Sequence, residues 1–361
     1  MTVQELAAKR SFFNVSAAKS RLRHGLMHYF LSLALIWLAI IFYRVNHYYK
    51  GFLFPETQKA LLILALTYTI VGFFYYLLVP LERLPKSRGY VIANLIRKSS
   101  RDFLDYLKNF TQKPSYAMAK IDREEKTALL FVIVKIFFLP LMINFMLTNY
   151  RAMTTGLADI DSLGAVFTIE GFNNILFPLL FSTFIFVDTA FFTFGYLVES
   201  RWLGSKVRSV EPTVLGWAVA LVCYPPFNGL MANYTSWYAN DNVYVSTPDL
   251  TFVLRIIVLV LMFIYAFASV ALGPKASNLT NRGTVSRWPY SMIRHPAYVA
   301  KNMAWWVTII PVFSIAALGS MLVWSFIYFL RAITEERHLI RDPEYQAYCK
   351  KVRYRFIPKV V

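Results

Sequence analysis

Long runs of apolar residues recur along this chain, and they constrain its fold more than any other feature of the sequence. A helix that crosses the apolar core of a membrane needs about 20 mostly apolar residues. Eight segments approach or reach this length: 27–45, 60–80, 128–149, 174–198, 213–231, 250–272, 297–312 and 315–332. Only 16% of the 361 residues are charged, against about 25% in soluble domains. We therefore predict an all-α polytopic integral membrane protein with about eight transmembrane helices.

The last two predicted spans, 297–312 and 315–332, are short and closely spaced, with Pro311 between them. Proline cannot continue a helix without losing a backbone hydrogen bond. This spacing predicts a C-terminal helical hairpin.

The basic residues lie in alternate loops between the predicted spans. The segments 1–26, 82–127, 199–212, 273–296 and 331–361 hold 5, 11, 3, 4 and 8 Lys and Arg, whereas the segments 46–59, 150–173 and 232–249 hold 2, 1 and 0. Loops that remain in the cytoplasm carry an excess of Lys and Arg, so we predict that both termini are cytoplasmic. The net charge of +18 is thereby explained by topology, and we expect no nucleic-acid partner.

Two regions follow from this pattern. Residues 1–250 form an N-terminal transmembrane region of about five helices, and residues 251–361 form a C-terminal region with its own motifs. The longest cytoplasmic loop, 82–127, contains apolar residues at helical spacing with basic residues between them, which predicts an amphipathic helix. Such a helix either lies on anionic lipid headgroups or is a solvated connection, and the sequence leaves both open.

Polar residues interrupt the apolar spans at three places. Lys135 and Asp188 fall well inside predicted spans, where a charge costs about 3 kcal/mol and usually faces a partner or a cavity. They either tie helices together, as a pair being one way, or handle substrate. The run from Cys223 to Asn228 contains two consecutive prolines and predicts either a packing kink or a cavity wall lined by Tyr224 and Asn228.

The most informative stretch begins after the sixth span. Tyr290-Ser-Met-Ile-Arg294-His295-Pro296-Ala297-Tyr298 leads into a helix, and Arg331-Ala-Ile-Thr-Glu335-Glu336 ends the next one. Arg331 and Glu335 are four residues apart and so share a helix face. A hairpin brings its two ends together, which places His295 and Tyr298 near Arg331 and Glu335. The spacing predicts a polar cluster at the membrane surface, where an apolar substrate and a water-soluble cofactor could meet.

These motifs, followed by Asp342-Pro-Glu-Tyr345-Gln-Ala-Tyr348 and a Tyr354-Arg-Phe-Ile-Pro358 tail, resemble the isoprenylcysteine carboxyl methyltransferase family. That family of membrane enzymes is related to the phospholipid N-methyltransferases. The resemblance covers residues 270–361 and does not extend to residues 1–250.

The resemblance implies roles for seven residues. Tyr290, His295, Pro296, Ala297, Tyr298 and Glu335 would contact S-adenosylmethionine, and Arg331 would be the catalytic residue that faces a substrate carboxylate. The sequence departs from the family pattern at Ala300, where Gly is usual, at Ser286-Arg287-Trp288-Pro289, which replaces Thr-x-Gly, and at Arg282, which replaces a His. The cofactor site implied is not a Rossmann fold, and the chain has no Gly-x-Gly-x-x-Gly motif.

The expected activity is therefore methyl transfer from S-adenosylmethionine to a lipidic acceptor at the cytoplasmic membrane face. A carboxylate such as that of a prenylated cysteine is the first expectation, although the residues themselves do not decide between a carboxylate and an amine. We expect membrane lipids as partners, no metal, and a multi-pass location, the inner membrane of a bacterium being the first expectation. Two alternatives are an NADPH-dependent sterol-type membrane reductase, whose tail is similar, and a non-enzymatic lipid-binding or transport protein.

Overall fold

The structure is a computed structural model of the chain. It describes residues 3–79, 86–109, 120–158, 160, 163–239, 243–245 and 247–358, with side chains from residue 20 onward except at 163 and 165. The described residues are almost entirely helical, and the strands among them form one antiparallel pair, β1 and β2 below. The prediction of an all-α membrane protein is confirmed at this level.

Six helical segments in the described part of the chain are long and apolar enough to cross a membrane. They are Ser20–Val45, Pro55–Leu78, Arg123–Ala158, Ile169–Leu197, Pro248–Lys275 and Ile315–Leu339. The chain is thus a multi-pass membrane protein, and each of these segments overlaps one of the predicted spans.

The chain divides into two compact units, residues 1–136 and 137–361. The helices of the first unit are α1 (Val3–Val45), α2 (His47–Phe52), α3 (Pro55–Leu78), α4 (Arg88–Lys108) and the beginning of α5 (Arg123–Ala158). Local chemistry explains where several of them start. The Asn46 side chain accepts the Tyr49 N–H at 3.3 Å before α2, Pro55 opens α3, and the Ser87 hydroxyl accepts the Tyr90 N–H at 3.2 Å before α4.

The first unit is held together where α1 packs on α3 and α4. Gly89 of α4 lies so close to α1 that a Cβ there would be 2.6 Å from the Leu31 carbonyl oxygen. The Tyr29 hydroxyl donates to the Thr69 carbonyl of α3 at 2.7 Å. Close backbone approach of this kind is how helices associate in membranes, where lipid removes the usual hydrophobic driving force.

The predicted amphipathic helix of loop 82–127 is α4, while residues 82–85 and 110–119 of that loop lie outside the described part of the chain. Its first half is buried at Val91, Ile92 and Leu95. Its second half exposes Ile96, Phe103, Leu104 and Leu107. The helix is confirmed, and its place on lipid headgroups stays a prediction.

The second unit contains the remainder of α5 and all of the later elements. These are α6 (Leu163–Val166), α7 (Ile169–Gly171), α8 (Phe177–Leu197), β1 (Ser209–Val210), α9 (Val214–Leu221), α10 (Phe227–Ala232), α11 (Pro248–Leu272), β2 (Thr280–Asn281), α12 (Pro296–Thr308), α13 (Ile315–Leu339) and α14 (Pro343–Lys351). A π-helical turn, Phe172–Leu176, joins α7 to α8. The whole predicted C-terminal region, 251–361, lies inside this unit, and the functional boundary at residue 250 stays a prediction.

Two of the eight predicted spans contain helices too short to cross a membrane alone. Segment 213–231 is divided into α9 and α10, with 8 and 6 residues, because the turn between them holds Pro225 and Pro226. In segment 297–312, α12 has 13 residues, which is about 20 Å of helix against roughly 30 Å of apolar core. A 3₁₀ turn at Ile310–Val312 then leads into α13, as the predicted hairpin requires.

The core of the second unit positions the segments that carry the motifs. Helix α11 packs against α8 and α12, and α13 packs against α9 and α12. The buried side chains between α8, α11 and α12 include Phe177, Leu254, Val258, Met262 and Ala304. Gly195 of α8 lies directly against the Ala276 carbonyl oxygen, where any Cβ would overlap it. This contact fixes the chain as it leaves α11 toward β2 and the start of α12.

Candidate functional site

A cleft opens within the second unit and is lined by residues of α9, α11, α12, α13 and the segment between α11 and α12. The empty space inside it, with the solvent at its open mouth included, is about 1020 Å³. Six of the seven predicted site residues line it: Tyr290, His295, Ala297, Tyr298, Arg331 and Glu335. The seventh, Pro296, is buried in the first turn of α12. The structure therefore brings the predicted residues together.

The C-terminal tail fixes the start of α12. The backbone N–H groups of Arg294 and His295 donate to the carbonyls of Tyr354 and Arg355, both at 3.0 Å. The Tyr348 hydroxyl of α14 donates to the Tyr290 carbonyl at 2.7 Å. The C-terminal tail and the motif at the start of α12 are thus bonded to each other, although the hairpin separates them in sequence.

The His295 side chain is paired with Glu336. The sequence motifs had predicted no separate role for Glu336. The His295 Nε2 atom is 3.1 Å from Glu336 Oε1, and Glu336 Oε2 accepts from Arg294 and Arg355, both at 2.9 Å. The His295 ring also stacks parallel to Tyr298 at 5.4 Å. His295 therefore orients the entry of α12 and faces the cleft from within this ion cluster.

Glu335, in contrast, is exposed at the cleft and, among the described residues, accepts a hydrogen bond from one tyrosine. The Tyr298 hydroxyl donates to Glu335 Oε2 at 2.6 Å. Burial, with the Glu335 carboxylate as the next contribution, raises the pKa of Tyr290 well above its ordinary value. Tyr290 therefore stays protonated at neutral pH and can donate a hydrogen bond but cannot act as a base.

Arg331 is buried and surrounded by aromatic rings. Its guanidinium carbon lies 5.6 Å from the Tyr224 ring centre, 5.1 Å from Tyr298 and 5.7 Å from Tyr328. One guanidinium nitrogen donates to the Asn278 side-chain oxygen. No carboxylate among the described residues is within ion-pair distance of it. Cation–π contacts reach about 2 kcal/mol each when desolvated, so the rings hold the charge while leaving it able to bind an anion.

Tyr224 comes from the double-proline turn, and it lines the cleft whereas Asn228 is not among the lining residues. Of the two interpretations of that turn, a kink or a cavity wall, the structure thus favours the wall, through Tyr224.

The cleft contains a second polar group, around Lys301, that was not predicted from the sequence. Lys301 of α12 lines the cleft beside Tyr265 of α11. Its Nζ atom is 3.5 Å from the Tyr265 hydroxyl and 4.8 Å from the Tyr265 ring centre. The Tyr265 hydroxyl donates to Asp188 Oδ2 at 2.8 Å, and the Ser269 hydroxyl donates to Asp188 Oδ1. The helical spacing of Tyr298 and Lys301 was the available signal, because residues three apart share a face.

The lining chemistry fits S-adenosylmethionine. That molecule has a ribose diol and an ammonium group that need acceptors, a carboxylate that needs a cation, and a sulfonium that aromatic faces stabilise. The cleft provides the Glu335 carboxylate, the cations Lys301 and Arg331, and the rings of Tyr290 and Tyr298. Glu335, Tyr290 and Tyr298 would hold the cofactor.

No protein-family model, curated protein sequence or solved structure matches this chain. The resemblance to isoprenylcysteine carboxyl methyltransferases therefore stays a prediction drawn from the motifs.

Proposed function

We propose that this protein transfers a methyl group from S-adenosylmethionine to a carboxylate on a lipidic acceptor, such as a prenylated cysteine. The observation that carries the proposal is the state of Arg331. It is a buried guanidinium without a carboxylate partner among the described residues, in the cleft that also contains the Tyr298–Glu335 pair. Ionisable residues inside a membrane usually face the protein interior or a cavity and often mark a substrate pathway.

A carboxylate acceptor suits the charges of this cleft better than an amine does. Lys301 and Arg331 line the cleft together with Glu211 and Glu335. Glu211 lies 3.4 Å from Arg337, and the two lining cations can attract a carboxylate. A carboxylic acid is already ionised at neutral pH, since its reference pKa is about 3.5 to 4. The reaction then needs no general base, and the resemblance of residues 270–361 to a carboxyl methyltransferase family supports the same acceptor.

When bound, S-adenosylmethionine supplies an electrophilic methyl group on a positively charged sulfur. Arg331 fixes the acceptor oxygens through its planar fork without transferring a proton. The rings of Tyr224, Tyr298 and Tyr328 around it exclude water from the carboxylate. Orienting two reactants in this way can lower a barrier by about 7–11 kcal/mol. Glu335 and Tyr298 would hold the cofactor, and Tyr298, which also contacts Arg331, lies between the two substrates.

Purified protein in detergent provides the test. Calorimetry should detect binding of S-adenosylhomocysteine and none of NADPH. Incubation of the protein with methyl-labelled S-adenosylmethionine and N-acetyl-S-farnesylcysteine should place label in the organic extract. Mild alkali should release that label as volatile methanol, because a methyl ester hydrolyses and an N-methyl group does not. NADPH binding without S-adenosylhomocysteine binding would instead indicate the reductase.

Replacing Glu335 by glutamine should lower the affinity for S-adenosylhomocysteine about tenfold, the value of one hydrogen bond to a charged group. His295→Ala should act in the same direction because His295 orients the first turn of α12. Calorimetry on folded, monodisperse protein measures both. Glu170→Gln is the matched control, because Glu170 is an exposed carboxylate far from Glu335 in the sequence. It should leave the affinity for S-adenosylhomocysteine unchanged. Unchanged affinity in both site variants would remove these residues from the cofactor site.

We further propose eight crossings with both termini cytoplasmic, in the cytoplasmic membrane of a bacterium. Segment 213–231 would cross as two half-helices, α9 and α10, and α12 would pair with α13 as the hairpin. The excess of Lys and Arg in alternate loops supports this orientation. Tags at either end of the chain should resist impermeant reagents on intact cells. A cysteine at Asn240, which lies outside the described residues, should react. Labelling of a C-terminal tag would overturn the hairpin topology.

A further inference from the structure

Lys301 is a charged residue on an otherwise apolar part of the hairpin. It lies on α12, one turn beyond Tyr298, and lines the cleft. A lysine at this depth costs roughly 3 kcal/mol unless it reaches headgroups or meets a partner. Its Nζ lies 5.5 Å from the ring centre of Trp305, which is one turn further from the polar start of α12. The side chain therefore does not extend toward the polar end of the helix, as a snorkelling lysine would.

The Lys301 ammonium has more donors than it uses. It carries three N–H groups. Among the described residues its polar contact is the Tyr265 hydroxyl, whose oxygen is 3.5 Å from Nζ. The faces of Tyr265 and Trp305 stabilise its charge without consuming a hydrogen bond. No carboxylate oxygen in the described ranges is within ion-pair distance of Nζ.

Asp188 explains why this ammonium stays in place. Both of its oxygens already accept hydroxyl groups, from Tyr265 and Ser269, and these two residues line the cleft in front of it. Asp188 is buried and Lys301 is half-buried, and the Tyr265 hydroxyl lies between them. The Asp188 oxygens are thus already occupied by hydroxyl groups, and the ammonium keeps N–H groups for a ligand.

We propose that Lys301 binds a carboxylate inside the cleft, as a second cationic contact beside Arg331. The inference rests on the proposed methyl transfer, because that reaction brings two carboxylates to the cleft. One belongs to the amino-acid part of S-adenosylmethionine, and the other belongs to the acceptor. Either carboxylate could accept hydrogen bonds from the Lys301 ammonium.

Lys301→Met, which keeps the length of the side chain and removes its charge, separates the two sources. Lys301→Arg keeps the charge. Lys206→Met, an exposed lysine of the same unit, is the control for the substitution itself. Calorimetry measures S-adenosylhomocysteine and 5′-methylthioadenosine, which lacks the amino-acid part. A second titration measures N-acetyl-S-farnesylcysteine and its uncharged methyl ester. Size-exclusion profiles in detergent select folded protein, and Lys301→Gln replaces Lys301→Met if the latter aggregates.

If Lys301 holds the cofactor carboxylate, Lys301→Met should weaken S-adenosylhomocysteine binding about tenfold and leave 5′-methylthioadenosine unchanged. If it holds the acceptor, the variant should lose its preference for the acid over the ester by a similar factor. Lys301→Arg should retain most of the affinity in either case. Equal losses for the charged and uncharged partner, or no loss with any ligand, would overturn the inference and leave the proposed function standing. A wild-type protein that binds neither S-adenosylhomocysteine nor the acid would overturn both.

Discussion

Replacing Arg331 by lysine should lower the turnover of methyl transfer on the order of a hundredfold, the effect of removing one well-placed donor. Affinity for S-adenosylhomocysteine should change little. The lysine keeps the positive charge but loses the planar fork, which lies against three tyrosine rings and donates to Asn278 at once. The ammonium of lysine can still attract a carboxylate, but it cannot fix both oxygens in one plane.

Steady-state kinetics and calorimetry on the same preparation provide the comparison. Arg255→Lys is the matched control, because Arg255 is also buried, also lies over an aromatic ring (Phe177, 4.6 Å), and donates to the Val243 carbonyl at 2.8 Å outside the cleft. That control should lose stability and keep its cofactor affinity and turnover. If cofactor affinity falls in step with turnover in Arg331→Lys, Arg331 only positions Tyr298, which donates to Glu335, and does not contact the acceptor.

Glu336→Ala should destabilise the second unit by about 3–5 kcal/mol, the cost of removing one partner from a buried ion pair. Glu336 is 9% exposed and binds His295 and Arg294, whose side chains are 5% and 12% exposed. Without the carboxylate these two groups stay buried and lose their anion. Arg355 is 42% exposed, so its share of the loss is reduced by solvent.

Unfolding by SDS in mixed micelles measures the free energy, and trypsin cleavage after Arg353 reports whether the tail detaches. Glu335→Ala is the control, since it removes the adjacent carboxylate from an exposed position with one tyrosine partner. Its loss should stay near 1 kcal/mol. Equal losses in the two variants would mean that the cluster around Glu336 adds no stability beyond an ordinary surface pair.

The spans and the meeting of the motifs could be predicted from the sequence because both depend on quantities that a sequence contains. Apolar length sets which helices can cross a membrane, and a short hairpin forces its two ends together. The roles of Glu335 and Glu336 could not be separated in this way. Adjacent residues on a helix point about 100° apart, and which one faces Arg294 depends on the rotation of α13 against α12.

The residues that surround Arg331 and Lys301 could not be predicted from the sequence for a related reason. Tyr224 and Asn278 reach Arg331 from segments far away in sequence, and no local pattern specifies that encounter. A lone lysine in an apolar run looks like an interfacial anchor until its neighbours are known. In the structure Tyr265 and Asp188 supply those neighbours.

The backbone bonds between the tail and the start of α12 have a consequence for biogenesis. Residues 354 and 355 supply the carbonyls that fix Arg294 and His295, and Arg355 also binds Glu336. Residues 354 and 355 are synthesised after both helices of the hairpin. The start of α12 therefore cannot reach its final bonded form until the chain has been made as far as these two residues. Ligand binding should thus appear only after the tail has folded back onto the hairpin.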